Sequence, residues 1–358
     1  MILRLIFVVI LAVVALARAE DLPRKVKTPR ENYPNVDVIY DSVSTEGKRL
    51  RTIITKPRNA KGKLPVIFVA GWLSCDSVEA PANTKDESGM VFRGLAQSPG
   101  LVLFRVDKQG VGDSEGVCGD TDFESEVDGY KAAFHALRNY DFIDTNRVYM
   151  LGISNGGGFA PLIAATEEEQ QVRGYISVGG WVKTWFEHML EIERRRFALM
   201  GKSPFEVNDS MKLLSTLYYE WLIERRSVDE IIKKQPQLAG LWPEGKDHTH
   251  LYGRPLRYYE DLQDLNMAAL WSRVKVPTYV LRGAFDWIMT REDSELIAAY
   301  VNKNGDLATF YEIPDTGHTF QHYLSLADAF KGKSAPFDPK VIGLLTDWLR
   351  NKAITHED

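Results

Sequence analysis

Continuous apolar runs and amphipathic stretches alternate along most of the chain. The run at residues 64–70 is apolar throughout and predicts a strand buried on both faces. Further strands are predicted at residues 101–106, 148–151, 172–178, 276–281 and 308–313. Between and after them, helices are predicted over residues 122–137, 161–166, 292–301 and 341–349. Strands that alternate with helices indicate an α/β fold, with a mostly parallel central sheet and helices on both of its faces.

The chain before these runs has a different pattern. Residues 36–40 and 50–55 predict two antiparallel strands, joined by a turn at residues 46–48. In the second strand, Leu50, Thr52 and Ile54 follow a period of two, which is typical of an edge hairpin with one face in water. We therefore expect the sheet to begin with an antiparallel pair.

Residues 181–265 contain no predicted strand. Helices are predicted around residues 181–200 and 207–226, and a third begins with a capping box at residues 227–230 and stops at Pro236. The position of this segment between two strands predicts a helical cap inserted over the carboxyl edge of the sheet. We expect most of its aromatic residues to form its own core and a few to line a pocket. They are Trp181, Trp185, Phe186, Tyr218, Tyr219, Trp221, Trp242, Tyr252, Tyr258 and Tyr259.

Basic clusters occur in the same segment at residues 194–196, 225–226 and 233–234. Three glutamates precede the first cluster at helical spacing, which favours a solvated, ion-paired face. A binding site for an anionic substrate is the alternative interpretation.

The first residues of the chain have the pattern of an export signal. Arg4 precedes an apolar run over residues 5–17, and Ala17-Arg18-Ala19 has the small–x–small form of a cleavage site before Glu20. Thirteen apolar residues are too few to span a bilayer comfortably, although an uncleaved anchor is the alternative. The predicted organisation is a signal peptide over 1–19, a core over 20–180, the cap over 181–265 and the rest of the core over 266–358. We expect a secreted or periplasmic protein without stable membrane insertion.

Composition and charge exclude several classes of protein. The chain has 358 residues, of which 44% are hydrophobic and 26% charged, as expected for a globular protein. Its net charge of −5 becomes −7 when the segment with Arg4 and Arg18 is removed, which argues against non-specific binding of nucleic acids. Without visible repeats, solenoids and propellers are not expected.

A short motif carries the candidate chemistry. Gly152-Ile-Ser-Asn-Gly156 lies between the predicted strand at 148–151 and the helix that follows. Gly-x-Ser-x-Gly at such a junction is the pattern of a nucleophile elbow, in which a strained turn lifts the serine out at the carboxyl edge of the sheet. The alternative is a glycine-rich turn whose Ser154 only caps a helix.

A serine hydroxyl needs an oriented base to become a nucleophile. Among seven histidines, His318 lies in a loop after the last strand and before the final helix, at the same sheet edge as Ser154. His322 is the alternative. Asp286 follows the strand that ends at Gly283 and can orient the base, whereas Asp315 is too close to His318 along the chain to be favoured.

The order Ser154, Asp286, His318 along the chain is that of the α/β-hydrolase superfamily. The mature chain resembles this superfamily along nearly its whole length. Residues 107–116 are similar to the D-x-R-G-x-G-x-S loop after the fourth strand in that superfamily, except that Gln109 stands where arginine is frequent. That departure puts the usual ion pairing of this loop in doubt. By pattern, the nearest families are carboxylesterases and serine aminopeptidase-like hydrolases.

The resemblance also implies where the oxyanion would be bound. One donor is the backbone N–H of Asn155, directly after the nucleophile, and the other is that of Trp72 or Leu73, after the turn permitted by Gly71. The loops carrying Cys75 and Cys118 are neighbours in this fold, so that a disulfide between these two cysteines is expected in an oxidising compartment.

The predicted function is that of a serine hydrolase that cleaves small carboxylic esters through an acyl-enzyme on Ser154, with no metal and no cofactor. A peptidase acting on short peptides is the alternative, and it would need an acid such as Glu187, Glu191 or Glu220 to bind the substrate amine. A non-catalytic binding protein on the same fold is a third reading.

Overall fold

The computed structural model describes residues 21–164 and 172–354. The predicted signal peptide over residues 1–19 lies outside the described residues, as do the last two residues of the helix predicted to end at Thr166. Within the described ranges, no helix is both long enough and apolar enough to cross a lipid bilayer.

The described chain contains one large sheet of eight strands and a small two-stranded hairpin. The strands are β1 (Val36–Thr45), β2 (Lys48–Pro57), β3 (Leu64–Ala70), β4 (Val102–Val106), β5 (Ile143–Ile153), β6 (Val172–Val178), β7 (His250–Leu251), β8 (Arg254–Pro255), β9 (Thr278–Gly283) and β10 (Ala308–Ile313). The order in the large sheet is β1-β2-β4-β3-β5-β6-β9-β10. Only the β1–β2 and β2–β4 pairs of this sheet are antiparallel, which confirms the mostly parallel sheet with an antiparallel start.

Helices pack on both faces of this sheet. They are α1 (Glu87–Ala96), α2 (Phe123–His135), α3 (Asn155–Ala164), α4 (Trp185–Leu199), α5 (Pro204–Tyr218), α6 (Val228–Lys234), α7 (Leu256–Asp264), α8 (Met267–Trp271), α9 (Arg291–Asn302), α10 (Leu326–Phe330) and α11 (Lys340–Ile354). Residues of α2 and α3 belong to one hydrophobic core, whereas residues of α1 and α11 belong to another.

The strand β3 shows why its sequence is apolar at every position. Val66 and Phe68 are part of the core that contains α2 and α3, whereas Ile67 and Val69 are part of the core that contains α1 and α11. Successive side chains of a strand point to opposite faces of the sheet, and here each face is covered by helices. The α/β-hydrolase fold expected from the sequence is therefore present.

The segment between β6 and β9 adds no strand to the large sheet, and we call it the cap segment. It contains α4 to α8 and the hairpin β7–β8. Capping boxes at Thr184, Ser203 and Ser227 begin α4, α5 and α6. The predicted capping box at residues 227–230 and the stop before Pro236 are confirmed, because α6 ends at Lys234.

Some elements of the fold were not predicted. The hairpin β7–β8 lies in a segment expected to be free of strands, and its two-residue strands are too short to produce a periodic pattern. No helix was predicted over α1, although Asp86 caps its first turn by accepting a hydrogen bond from the N–H of Gly89 (2.7 Å). Asp86 was therefore the residue from which the start of α1 could have been predicted.

Candidate active site

Ser154 lies in the tight turn between β5 and α3. Its φ of 59° is in the left-handed region, which costs a non-glycine residue roughly 1–3 kcal/mol. A Cβ atom on Gly152 would lie 2.3 Å from the carbonyl oxygen of Gly156, and one on Gly156 would lie 2.2 Å from that of Ala70. Only glycine fits at both positions, so the strand–turn–helix geometry of the nucleophile elbow follows directly from the motif.

His318 and Asp286 are brought to this turn by two other strand ends. His318 follows β10, and its Nε2 lies 2.8 Å from Ser154 Oγ. Its Nδ1 lies 2.8 Å from Oδ2 of Asp286, which follows β9. The serine hydroxyl donates to Nε2, while Nδ1–H donates to the carboxylate. We call these three side chains the Ser–His–Asp array.

The carboxylate of Asp286 is buried and fully hydrogen bonded. Its second oxygen accepts from the backbone N–H groups of Ile288 (2.8 Å) and Met289 (2.9 Å). Burial alone would raise the pKa of Asp286, but the charge and hydrogen bond of His318, the N–H of Met289 and the charge of Arg282 lower it below its usual value. Asp286 is therefore ionised at neutral pH and fixes the orientation and tautomer of the His318 ring.

The other candidates for base and acid lie apart from this array. Nδ1 of His322 is 3.2 Å from the carbonyl oxygen of Pro336, and the backbone of His322 forms a bridge with Thr316. Asp315 is exposed, with a φ of 53°. Of the two histidines considered, the structure places His318 beside Ser154.

Trp72, Leu73 and Asn155, the residues predicted to supply oxyanion donors, line the same cavity as Ser154 and His318. Trp72 and Leu73 belong to the loop that follows β3, whereas Asn155 is the first residue of α3. The three predicted donors therefore approach the array from two different elements.

The loop after β3 is attached to the elbow on one side and to α2 on the other. The N–H of Gly156 donates to the carbonyl oxygen of Gly71 (2.9 Å), and the N–H of Gly71 donates to the hydroxyl of Tyr130 (3.0 Å). A Cβ atom on Gly71 would lie only 3.0 Å from that hydroxyl. The absence of a side chain at Gly71 thus allows the loop to pack this closely.

Cys75 and Cys118 form a disulfide, which confirms the expected pairing. The S–S distance is 2.03 Å, and the two cysteines are 43 positions apart in the chain. The bond connects the loop after β3 to the short 3₁₀ turn at Cys118–Asp120, which follows β4. It therefore links the loop of Trp72 and Leu73 to a second segment of the core.

The loop over residues 107–116, which resembles D-x-R-G-x-G-x-S, forms ion pairs with an arginine that lies outside it, on β2. Arg51 on β2 is buried, contacts Asp107 and lies 2.5 Å from Asp113. Gln109, at the position where arginine is frequent, accepts a hydrogen bond from Nζ of Lys48 (2.9 Å). The ion pairing that Gln109 put in doubt is thus supplied by Arg51, and it supports the loop from within the core.

Ser154 and His318 lie in the wall of a cavity of about 730 Å³, a size typical of small-molecule sites. One part of the wall is a face of α4, whose residues recur at helical spacing: Trp185, His188, Met189, Ile192 and Arg196. The loop after β3 and the start of α1 contribute polar and acidic residues: Ser74, Asp76, Ser77, Asp86, Glu87 and Ser88. The cavity therefore combines a largely apolar wall with a polar, acidic one.

Most cap aromatics are core residues, as expected. Trp185 and Tyr252 line the cavity, whereas a larger group is completely buried. That group comprises Trp181, Tyr218, Trp221, Tyr258 and Tyr259. Trp72 and Trp287, from loops of the core, also line the cavity, although no aromatic outside the cap was predicted to do so.

His188 is a cavity residue that sequence reasoning did not single out. Its ring packs against Trp185, with the ring centroids 4.7 Å apart, and its Nδ1 has no hydrogen-bond partner among the described residues. Burial lowers the pKa of His188 to about 4, with the charge of Asp293 opposing and those of Arg195 and His318 adding to the effect. His188 is therefore neutral at pH 7. The only sequence signal for its place in the cavity wall was its position three residues after Trp185, which puts both side chains on the same face of α4.

The three cap glutamates considered as amine ligands do not line the cavity. Glu187 completes the capping box of α4, and Glu191 pairs with Lys183 at 2.6 Å. Glu220 pairs with Arg226 at 2.6 Å. The acids in the cavity wall are instead Asp76, Asp86 and Glu87. Across the described residues, no group of three or more histidine, cysteine or acidic side chains is placed to hold a metal ion.

Two of the three basic clusters contain ion-paired arginines. Arg196 lies 2.5 Å from Glu193, and Arg225 contacts Asp264. Arg195 differs from the expected solvated face, because its guanidinium donates to the carbonyl oxygens of Trp287 (2.8 Å) and Ile288 (2.5 Å). These residues follow Asp286, so Arg195 attaches α4 to the loop that carries this acid.

A family model for serine aminopeptidases (S33), a family of α/β-hydrolases, matches residues 91–321. The chain belongs to this family. The match includes Ser154, Asp286 and His318 and the whole of the cap segment. A comparison with curated proteins found no match.

Solved structures show the same fold at low sequence identity. The esterase Est1E from Butyrivibrio proteoclasticus, solved with ferulic acid, is 15% identical, with a TM-score of 0.53 over 88% of this chain and 98% of that protein. An esterase from Pyrococcus furiosus is 12% identical, with a TM-score of 0.53 over 93% of this chain and 98% of that one. The acylaminoacyl peptidase of Pyrococcus horikoshii is 14% identical, with a TM-score of 0.52 over 89% of this chain but only 42% of that one. The shared fold occurs in both esterases and peptidases.

Proposed function

We propose that this serine hydrolase cleaves carboxylic esters of small molecules, with Ser154, His318 and Asp286 as its catalytic triad. The observation that carries the proposal is the continuous pair of 2.8 Å contacts from Ser154 Oγ through His318 to Asp286, in the wall of a cavity of small-molecule size. A hydroxyl held against an imidazole whose other nitrogen is oriented by a carboxylate is the arrangement required for an activated nucleophile.

The reaction proceeds in two halves. His318 Nε2 accepts the hydroxyl proton while Ser154 Oγ bonds to the substrate carbonyl carbon, and the imidazolium then gives that proton to the departing alcohol. In the second half, His318 takes a proton from water, which attacks the acyl-enzyme, and returns it to Ser154 as the acid leaves. Asp286 stays ionised throughout and stabilises the imidazolium. Backbone N–H groups of Asn155 and of Trp72 or Leu73 would stabilise the oxyanion.

A peptidase that binds a substrate amine is the second candidate. The family match supports it, and the cavity wall contains three acids, Asp76, Asp86 and Glu87. The apolar wall formed by α4 favours an ester substrate, because Trp185, Met189 and Ile192 can pack against its acyl or alcohol group. The two candidates use the same triad and differ in the leaving group.

A fluorophosphonate probe tests the nucleophile. Wild-type protein should be labelled at a single serine, and the Ser154→Ala variant should remain unlabelled. Equal labelling of both proteins would disprove the assignment. Rates on p-nitrophenyl esters and on aminoacyl anilides then separate the two candidates, and faster cleavage of the anilides would favour the peptidase.

We further propose that the protein is exported and that residues 181–265 act as its cap. The disulfide between Cys75 and Cys118 is compatible with an oxidising compartment. Expression of the full 358-residue sequence should give extracellular or periplasmic protein that begins at Glu20. Retention of the intact N-terminus in a membrane fraction would contradict the cleaved signal.

A further inference from the structure

Lys108 is a buried charged residue that the proposed reaction does not use. It lies two residues after β4, and its Nζ donates to the carbonyl oxygens of Trp72 (2.5 Å) and Leu73 (3.2 Å). The C=O and N–H of one planar trans peptide point in opposite directions. The carbonyl of Trp72 and the N–H of Leu73 belong to the same peptide. Because Lys108 holds this carbonyl towards its own ammonium group, the N–H of Leu73 is fixed in the opposite direction.

Glu126 on α2 is the acid behind Lys108. It is buried, and its Oε2 lies 3.6 Å from Lys108 Nζ and 2.5 Å from Nη2 of Arg254. Burial lowers the pKa of Lys108 to about 8, with Arg254 adding to this effect and Glu126 and Asp76 opposing it. Lys108 is therefore mostly charged at neutral pH, so that an ammonium group lies directly behind the loop after β3.

The same carboxylate reaches the nucleophile elbow through a different route. Oε1 of Glu126 accepts a hydrogen bond from the hydroxyl of Tyr258 (3.1 Å), and that hydroxyl accepts one from Nδ2 of Asn155 (2.8 Å). The remaining side-chain oxygen of Asn155 accepts from Nε1 of Trp181 (2.8 Å). Both ends of the Asn155 side chain are thus held by buried partners.

We propose that Lys108 and Glu126 are positioning residues that hold the two sides of the oxyanion hole in register. The inference rests on the proposed function, since it assigns oxyanion donors to Asn155 and to the loop of Trp72 and Leu73. Glu126 connects the two sides: through Lys108 it reaches the loop after β3, and through Tyr258 it reaches the first residue of α3. Donors fixed before the reaction stabilise a developing oxyanion without reorganisation.

The test uses Lys108→Met, Glu126→Gln and their double variant in the full chain. Each single change should lower kcat by on the order of 10- to 100-fold and leave KM within about twofold, because a misplaced donor affects the transition state more than the bound ester. The Ki of a boronic acid, which forms a tetrahedral adduct with the serine, should rise by the same factor as kcat falls. The double variant should be little worse than either single one, as expected for residues of one network.

Leu349→Ala is the matched control for lost stability, because Leu349 on α11 is buried in the other hydrophobic core. It should lower Tm and leave kcat and the boronate Ki unchanged. Tyr258→Phe removes only the hydroxyl that joins Glu126 to Asn155, and it serves if a charge variant fails to fold. Unchanged kcat in the folded variants, a rise in KM alone, or additive effects would overturn the inference. If wild type reacts with fluorophosphonate and hydrolyses esters, such results count against the inference alone, whereas an unreactive wild type counts against the proposed function.

Discussion

The nucleophile elbow and the loop after β3 border the same cavity but are held in place by different means. The elbow is held by backbone contacts: the N–H of Ser154 donates to the carbonyl oxygen of Val178 (2.8 Å), and that of Gly157 donates to the carbonyl oxygen of Ser154 (2.9 Å). The loop after β3 shares one backbone hydrogen bond with the elbow, from the N–H of Gly156 to the carbonyl oxygen of Gly71. Its other attachments are side chains, namely those of Lys108 and Tyr130 and the disulfide.

The difference has a consequence for how mutations act. The elbow needs glycine at positions 152 and 156, because a Cβ atom added at either position meets backbone atoms that have nowhere to move. The loop after β3 instead depends on partners that lie far away in the sequence, and each of them can be changed separately. We therefore expect abrupt loss of activity from changes in or beside the elbow and graded loss from changes around the loop.

The largest effect is expected for the array itself. Asp286→Asn should lower kcat by on the order of 10⁴-fold, because an amide presents the wrong hydrogen-bonding pattern to His318 while the rest of the loop is preserved. The measurement is kcat on a p-nitrophenyl ester, with Asp315→Asn as the control. Asp315 is a matched control because it lies near His318 in the sequence. Since its side chain is exposed and apart from the array, its variant should be fully active. If the two variants lost activity equally, Asp286 would not be the orienting acid.

The second prediction tests the backbone-held side. Gly156→Ala would place a Cβ atom 2.2 Å and 2.5 Å from the carbonyl oxygens of Ala70 and Gly71. The turn must then shift, and we expect kcat to fall at least about 100-fold together with a lower Tm. Gly343→Ala is the control, because a Cβ at this position in α11 meets nothing within 4 Å. It should keep full activity and not lower Tm, whereas full activity of Gly156→Ala would show that the elbow tolerates a side chain.

The third prediction tests the side-chain-held side. Replacing Cys75 and Cys118 together by serine removes a cross-link over 43 positions, worth about 4 kcal/mol in the chain-entropy model. Tm should fall by on the order of 6 °C for a chain of this length. We expect kcat to fall by roughly 10-fold or less, since Lys108 and Tyr130 still hold the loop. A Tm identical to that of wild type would mean that the disulfide contributes no stability in solution.

The smallest effect is expected on the α4 wall, which also faces the elbow. The pKa of His188 is about 4 in the folded protein and near 6.5 when unfolded, so below pH 6.5 the unfolded chain binds a proton that the folded one does not. The stability that His188 contributes is complete above pH 6.5 and is lost as the pH falls towards 4. His188→Leu should therefore flatten the decline of Tm between pH 6.5 and 4. An unchanged decline would show that His188 is not the group responsible.

How far the sequence predicts this site depends on the distance over which each contact is encoded. The elbow was predicted because its requirement for Gly152 and Gly156 lies within five consecutive residues. His318 and Asp286 were found from the order of the strands, since parallel strands end at one edge and bring the following loops together. The pairing of Cys75 with Cys118 followed from the neighbouring loops of the same fold.

The remaining features arise from packing between distant segments. Arg51 forms ion pairs with acids of the loop that contains Gln109, although Arg51 and Gln109 are 58 residues apart in the chain. The acids of the cavity wall are Asp76, Asp86 and Glu87 rather than glutamates of the cap, because the loop after β3 and the start of α1 both reach the cavity. Neither the ion pairs of Arg51 nor the position of these acids in the cavity wall produces a local pattern in the sequence.

By itself, the sequence determined the alternation of buried strands and helices, the strained turn at Ser154 and the order of the residues that follow the strands. These features depend on backbone geometry and on periodic burial, which short stretches of chain express. Only the tertiary structure decided that Lys108 and Glu126 lie behind the loop after β3 and that His188 is buried in the cavity wall. A buried charge or imidazole is stable only with the partners and packing that distant segments supply, so its place becomes visible when those segments meet.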